Sequence, residues 1–376
     1  YEFARSASSS LFIKAYGAQR LPWVMALSPV GTLALVYAYG RALTWLGSRR
    51  TLAVTTLASG LALAACYLGV QAGFGPAAAA LYVLREAYIV VLVEQYWSYI
   101  DSTLTAEQAK RHNGRVCGLA TAGAILGSDL VGRFATTVGT GSFVLLAAAT
   151  TLPCALLGLV AFRLGGEPVR APSEERARGH LGLGLFRQHR VLPVLLAVIA
   201  CTQLLAAVLE LAFSILAADA LPITDARTSY FGFFWRAVNV ATFVLQFAVA
   251  PLLLPRLSLR HLHAGIPLVH VAAAVALLLH PALTVGAAAF LLFKAIDYSL
   301  FRAGKEVLYV PLPFDARYRA KEVIDAVGYR ASKGATSLAL ALIGQVVALP
   351  AAALPAISAA AAGLWLGLVS RLTRDT

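Results

Sequence analysis

The stretch RVLPVLLAVIACTQLLAAVLELAFSILAA, residues 190–218, contains no charged group beyond Arg190 at its start and Glu210 near its far end. At 1.5 Å per residue, about 20 such residues reach across the ~30 Å of hydrocarbon in a bilayer. Only helices and closed barrels satisfy their backbone polar groups there, and a run this long and unalternating is no barrel strand. Outward from it, comparable runs recur at approximately 22–46, 52–73, 78–100, 114–137, 141–163, 228–254, 262–280, 284–309, 322–346 and 350–370, eleven in all. The composition agrees: 59% of the residues are hydrophobic and 13% charged, with a mean hydropathy of +0.75. Soluble domains carry roughly 25% charge. The expected fold class is therefore an all-α polytopic membrane protein.

The opening YEFARSASSSLFIKAYG is too short and polar for a full span. It reads as the outer end of a first helix only partly present here, which would bring the number to twelve. The longest polar interval, RLGGEPVRAPSEERARGHLGLGLFRQHR at 163–190, is rich in Gly, Pro and mixed charge and reads as a linker. It divides the chain into an N-terminal bundle, 1–162, and a C-terminal bundle, 191–376. Six helices on each side is the plan of two-bundle, major-facilitator-like carriers with a central site.

Loop charge gives an orientation. One set of loops carries Arg41, Arg49, Arg50; Lys110, Arg111, Arg115; Arg163, Arg170, Arg176, Arg178, Arg187, Arg190; Arg256, Arg260; Arg317, Arg319, Lys321; and Arg371, Arg374, against Lys14, Arg20 and Arg227 on the other. The excess of Lys and Arg marks the cytoplasmic side, which places the linker and the C-terminus in the cytoplasm. Much of the net charge of +13 is thus a topology signal, and no nucleic-acid partner is expected. Cys66, Cys117, Cys154 and Cys201 stand singly in apolar runs, without metal or disulfide spacing. His261 and His263 fall in a basic loop, where a solvated charge is the default role. The pairs Gly114/Gly118 and Gly123/Gly127 have the spacing that lets helix backbones approach.

Ionisable groups at membrane depth cost about 3 kcal/mol each on insertion scales, so they face a partner or a cavity. On the span 78–100, Glu86, Glu94, Trp97 and Asp101 share an arc of about 80° at 100° per residue. On 284–309, Lys294, Asp297 and Lys305 share another, with Arg302 and Glu306 at i, i+4. Asp129 with Arg133, Glu210, Arg236 with Asn239, and Lys333 complete the set. One reading is structural: Asp129 pairs with Arg133 and Arg302 with Glu306, locking helices or gating. The other is a water-filled cavity in which Arg85, Arg236, Lys305 and Lys333 contact an anion while Glu86, Glu94 and Glu210 gate it. No cofactor is called for. The nearest approach to a phosphate-binding loop, SLFRAGKE, has Ser299 and Glu306 where Gly and Ser/Thr are needed, so an ATP-driven pump is not expected. Nor is there an H-E-x-x-H or G-x-S-x-G motif, and no enzyme is read here.

KEVLYVPLP at 305–313 and KEVIDAVGYRASKG at 321–334 resemble the K-E-x-x-Y-x-P-L and D-x-x-G-x-R-x-x-K segment of the nucleotide transporter family, the ATP/ADP translocases of plastids and intracellular bacteria. Three further stretches are similar to that family: KAYGAQRLPWV at the end of its first helix, EQYWSYIDSTLTAEQAKRHNG at its fourth, and LELAFSILAADALPITDARTSYFG at its seventh. GRALTWLGSRR keeps the Gly40, Gly47 and Arg49 spacing of the short loop common in two-bundle carriers, with Thr44 where an acid is usual. The resemblance implies a major-facilitator-like fold and leaves Glu210, Lys305, Glu306, Asp325 and Lys333 at matched positions. Two lysines it would place toward substrate are absent: Arg5 is followed by Ser6, Ala7, Ser8 and Ser9, and Phe213 and Ser214 replace a Trp-Lys pair. What it implies is alternating-access transport of a small anionic, nucleotide-like or phosphorylated solute in a bacterial inner membrane, with membrane lipid as solvent. The alternative is a descendant that moves a lipid or other organic anion, or serves as a membrane platform for a fused or associated soluble domain. Single cysteines introduced as Pro172→Cys or Arg178→Cys are expected to react with an impermeant maleimide only from the cytoplasmic side; labelling from outside sealed cells would reverse the orientation.

Overall fold

The computed structural model describes residues 1–104, 106–166, 185–313, 323–346, 350 and 352–372; at 101, 106, 109–111, 185 and 325–327 only the backbone is described. Most of the linker, with Arg317, Arg319 and Lys321, therefore lies outside the described residues. Helices run in the order α1 Glu2–Tyr16, α2 Leu21–Gln71, α3 Gly75–Thr103, α4 Ala106–Val138, α5 Thr140–Ala149, α6 Thr151–Gly165, α7 Leu185–Gln188, α8 Val191–Ala220, α9 Thr224–Val244, α10 Ala250–Leu253, α11 Leu259–Leu279, α12 Leu283–Ile296, α13 Arg302–Tyr309, α14 Tyr329–Val346 and α15 Ala353–Leu372. No strand occurs among the described residues. Among the described residues, each span read from the sequence is helical over most of its length, some of them as two or three consecutive α or π segments. Eight stretches among the described residues are long and apolar enough to cross a membrane. The polar exceptions, α4 and the stretch Val323–Val346, hold charges that the sequence had singled out.

Local sequence fixes the breaks. Inside α2 the chain bends at Gly47, whose φ of 74° lies in the left-handed region that only glycine enters at little cost. That break falls between the spans 22–46 and 52–73. Ser258 caps α11, its hydroxyl accepting from the His261 N–H, which satisfies one of the orphan donors of a helix start. π-helical turns interrupt the regular helix at Leu245–Val249, Asp297–Phe301 and Val323–Gly328.

The described chain forms two compact units. The first comprises Tyr1–Gly17, Leu27–Ala177 and Leu221–Arg236; the second comprises Ala18–Ala26, Arg178–Ala220 and Ala237–Thr376. Residues 221–236 thus pack with the first unit although they follow the linker in sequence. In the first unit α1 lies on α3, α4 and α5, around Ala4, Ala7, Leu11, Leu81, Val131 and Phe143. In the second, α15 lies on α8 and α11, and α8 also receives α12 and α14. Phe301 and Trp365 sit in that core. Large apolar side chains such as Trp45, Leu61 and Leu164 are left outside. An apolar exterior of this kind suits lipid rather than water.

Close backbone approach occurs elsewhere than the glycine spacing suggested. Among the described residues, nothing lies within 4 Å of a Cβ built at Gly114, Gly118 or Gly123, and Gly127 meets only ordinary contacts. α4 and α9 instead touch at Gly132 and Gly232, where a Cβ on Gly232 would stand 2.8 Å from the Gly132 Cα and 2.9 Å from the Ser128 carbonyl oxygen. Ser229 seals the crossing by donating to the Gly132 carbonyl at 2.5 Å. Gly232→Ala must push two backbones apart and is expected to cost about 1–3 kcal/mol, while Gly118→Ala is neutral or gains up to about 1 kcal/mol of helix propensity. Thermal unfolding of the purified variants in detergent tests this, and equal melting temperatures for the two would refute the crossing.

Candidate functional site

Arg85, on α3, is buried and turns its guanidinium into α1. Its Nη1 donates to the Arg5 carbonyl at 2.6 Å and the Ser9 hydroxyl at 2.9 Å, its Nε lies 3.3 Å from Glu86 Oε1, and its plane rests 4.0 Å from the Tyr82 ring centre. α1 can receive it because it carries Ser6, Ser8, Ser9 and Ser10 where a core helix normally carries bulk. Glu86 is half-buried beside it. Both predicted residues come together in the first unit, and much of the bonding capacity of Arg85 is spent holding α1 to α3.

Asp129 on α4 accepts from Arg133 Nε at 2.7 Å and from Arg236 Nη1, on α9, at 2.6 Å. The expected Asp129–Arg133 pair is present, and Arg236 joins it from a helix more than 100 residues away. Arg236 also lies 5.0 Å from the Phe233 ring centre. Two basic groups here escaped the sequence reading. Arg5 stacks 3.2 Å from the Trp235 ring centre and lies 3.4 Å from Glu2. Arg227, counted above as an outer loop charge, is buried at 3% exposure, donating to the Leu221 and Ser10 carbonyls at 3.1 Å each. Carbonyl partners leave no trace in residue type, so only the placement of Arg5 inside a helix could have signalled the first.

Within the second unit the predicted cations gather along α12, the π turn Asp297–Phe301 and α13. Lys294 Nζ is 5.4 to 5.8 Å from the ring centres of Phe290, Phe293 and Tyr298. Asp297 opens the π turn, three residues after Lys294 and five before Arg302. Lys305 is buried at 4% exposure, with Nζ 5.0 Å from the Tyr329 ring centre on α14. Tyr329 and Lys333 are four residues apart and share a helix face, so Lys305 meets the side of α14 that carries Lys333. Glu306 and Lys333 are half-buried and Arg302 is exposed. Asp325 lies on the π turn Val323–Gly328, with its side chain outside the described residues. Lys294, Arg302, Lys305 and Lys333 against Asp297, Glu306 and Asp325 leave one positive charge in excess (4 − 3 = 1). Of the remaining predicted residues, Glu94 is exposed on α3, and Glu210 and Asn239 are half-buried on α8 and α9.

This geometry can hold an anion by charge-assisted hydrogen bonds. It does not resemble a metal centre: among the described residues no group of three or more His, Cys, Asp or Glu could hold a metal ion.

Comparison with known proteins bears out the family resemblance over the stretch that contains these cations. Residues 237–375 match the family model of the TLC ATP/ADP transporter. No curated protein matches the chain. Solved structures of similar fold include a bacterial homologue of the iron transporter ferroportin in an inward-facing state, at TM-score 0.66 and 13% identity, covering 99% of this chain and 96% of that one. A D-xylose–proton symporter gives 0.66 and 14%, covering 97% and 93%. The nucleoside transporter NupG gives 0.63 and 11%, covering 99% and 98%. The chain therefore has the all-helical, major-facilitator-like fold of these solved transporters, and residues 237–375 match the TLC ATP/ADP transporter model. In the first unit, Asp129→Asn and Arg236→Gln are each expected to lower the melting temperature, with the double variant losing less than the two losses combined; strict additivity would show that the pair is not coupled.

Proposed function

We propose that this chain, built on the carrier fold and bearing the nucleotide transporter signature over 237–375, is a secondary transporter of a small anionic, phosphorylated or nucleotide-like solute, working by alternating access. The observation that carries the proposal is Lys305, a buried ammonium in the matched segment, set against α14 on the side of Lys333. A cation at membrane depth is costly and marks a polar path through the protein, and an excess of positive charge among the second unit's predicted residues favours a phosphate. Lys294, Arg302, Lys305 and Lys333 would contact the anion, with Asp297, Glu306 and Asp325 keeping the empty site near neutrality. Arg85 and Arg236, engaged with Ser9, Glu86 and Asp129, serve in this reading to order the first unit around the solute path. The membrane would be a bacterial cytoplasmic one, with the linker and C-terminus inside, as the loop charges support. The carrier would move its solute without altering it chemically.

A second reading rests on Phe213 and Ser214. Both are buried, and Phe213 packs 5.6 Å from the Phe290 ring centre, so the seventh-helix place where relatives of this family carry a Trp-Lys pair is filled by core. That favours an anion with fewer phosphates than ATP, or a lipid or other organic anion, over ATP/ADP exchange.

Uptake into reconstituted vesicles is the test, with labelled ATP, ADP, other nucleotides and small phosphorylated metabolites offered in parallel. At least one phosphorylated solute should accumulate against an internal exchange partner. Lys305→Ala should weaken its binding about 10- to 150-fold, the loss of one charge-assisted contact of roughly 1.5–3 kcal/mol. If Lys305 only pairs with an acid, neutralising Asp297 as well would restore transport at unchanged apparent affinity, and the substrate-contact role would fall. Failure to take up any phosphorylated solute would favour the lipid or platform reading.

A further inference from the structure

α11 carries two histidines that the site described above does not use. His263 and His270 are 0% and 2% exposed. Seven residues apart, they project from one side of the helix about 10 Å from each other along its axis. The expectation of a solvated loop therefore holds for His261, which is exposed beside its cap, and fails for His263, which α11 carries inward. His263 meets Phe301 edge-on, with centroids 6.1 Å apart. His270 lies 5.3 Å from Phe293 and 5.8 Å from Trp365, and Phe301 closes the group 5.1 Å from Trp365.

What sets this group apart is its unmet hydrogen bonding. Among the described residues, neither ring nitrogen of either histidine has a hydrogen-bond partner, nor does the Trp365 indole N–H or the buried Ser358 hydroxyl seven residues before it on α15. The Gly304 backbone stands beside His263, 3.3 Å from Nε2 to the place of its absent Cβ, without a hydrogen bond of ordinary geometry. A neutral imidazole always presents one donor and one acceptor, and leaving either dry in a core costs the desolvation of the group. Apolar side chains would close the α11–α15 seam more cheaply. Buried polar atoms of this kind are otherwise met by ordered water, and water against an imidazole is a route for protons.

The charges around the seam are few. α15 carries only Arg371, near its end; α12 carries Lys294; α13 carries Arg302, Lys305 and Glu306, with Tyr309; and Asp297 lies on the turn between the last two helices. One turn of α13 thus presents its backbone to His263 at Gly304 and the next side chain, Lys305, to α14. A proton on His263 and an anion at Lys305 would attract each other, so each would raise the other's occupancy by the same factor.

We propose that the α11–α15 seam is a hydrated proton-binding site and that anion movement is coupled to a proton carried on His263 or His270. The step is a transfer from hydronium through water to a ring nitrogen on one side of the membrane and back to water on the other, with no bond otherwise made or broken and nothing oxidised. The proton site stands on the seam alone; its coupling to an anion rests on the transport reading given above.

Two measurements separate these. Full-length protein labelled with [15N]histidine in lipid nanodiscs, taken from mildly alkaline to acid buffer, should show a ring nitrogen that gains a proton and exchanges it with water, assigned by its loss in His263→Asn or His270→Asn. If both rings stay neutral and closed to exchange, the seam is no proton site, whatever the protein transports. For coupling, vesicles holding a gradient of one pH unit should accumulate labelled ATP or ADP about tenfold at one proton per solute. His263→Asn with His270→Asn, which keeps polarity but cannot bind a proton, should lose that accumulation while downhill exchange persists. Retention of the gradient response by the folded double variant overturns the proposal; should Asn at either place prevent folding, Gln replaces it. Should neither nucleotide be taken up, the same gradient is applied to the small phosphorylated metabolites; absence of uptake of any of them sinks the transport reading instead, and the nanodisc experiment still decides the seam.

Discussion

An ionised side chain within hydrocarbon has to be answered from inside the protein, since no water is there to answer it. Oxygen atoms and aromatic rings meet that constraint. In the first unit, arginines are met by oxygen: Arg85 by the Arg5 carbonyl and Ser9, Arg227 by the Ser10 and Leu221 carbonyls, Arg133 and Arg236 by Asp129. Two of those carbonyls belong to α1, a short helix with little apolar bulk. α1 is held in its unit as much by arginines reaching its backbone as by the packing of Ala4, Ala7 and Leu11. In the second, lysines are met by ring faces: Lys294 by three aromatics and Lys305 by Tyr329. Rings share the load in the first unit too, where Arg5 lies over Trp235, Arg85 over Tyr82 and Arg236 over Phe233. The anion reading belongs to the second unit because its cations lie within residues 237–375, the stretch that matches the transporter model.

The fold was legible because its signal is additive. A helix of twenty apolar residues announces itself whatever its neighbours do, and the gap between the spans 22–46 and 52–73 marked where α2 breaks. Contacts between helices follow another rule. Gly114 and Gly118 have the spacing of a close crossing and lie against no described neighbour, while Gly132 and Gly232, which make the crossing, stand 100 residues apart in chain order and carry no common motif. Glycine spacing states that a helix can be approached, and only the arrangement of the other helices decides whether it is. The same limit hid Arg227 and His263: loop composition describes an average surrounding, and one turn of helix suffices to carry a side chain from solvent into a core.

The candidate site was legible in part, since cost singles out membrane-depth charges but does not say how they are met. Arg85, Glu86 and Arg236 fell on the list beside Lys305 and Lys333, and the structure gives the first three partners within their own unit. For the second unit the difficulty was angular. A wheel drawn at 100° per residue places Lys294, Asp297 and Lys305 on one arc, yet the π turn Asp297–Phe301 lies between the outer two. A π turn takes in one residue more than an α turn, so everything after it is displaced by roughly one residue's rotation, about 100°. Lys305 therefore leaves the face of Lys294 and comes against Tyr329 on α14.

The extra residue in that turn is also what makes the cluster possible. On an unbroken α-helix, Lys294 and Lys305 would lie stacked along one stripe with Asp297 between them, and the charges would largely cancel along a single face. With the turn, Asp297 stands at a wide place in the backbone, with cations on both sides of it along the chain, while Lys305 is directed to a second helix and to the side that carries Lys333. Asp325 sits on the second such turn, Val323–Gly328, where the chain enters α14. Each acid of the cluster that belongs to a π turn thus lies where the helix is least regular. π turns recur at functional sites because one inserted residue redirects side chains without unfolding the helix. Here the insertion changes a self-neutralising stripe into a set of cations shared between two helices, which is the arrangement an anion with several oxygens can bridge.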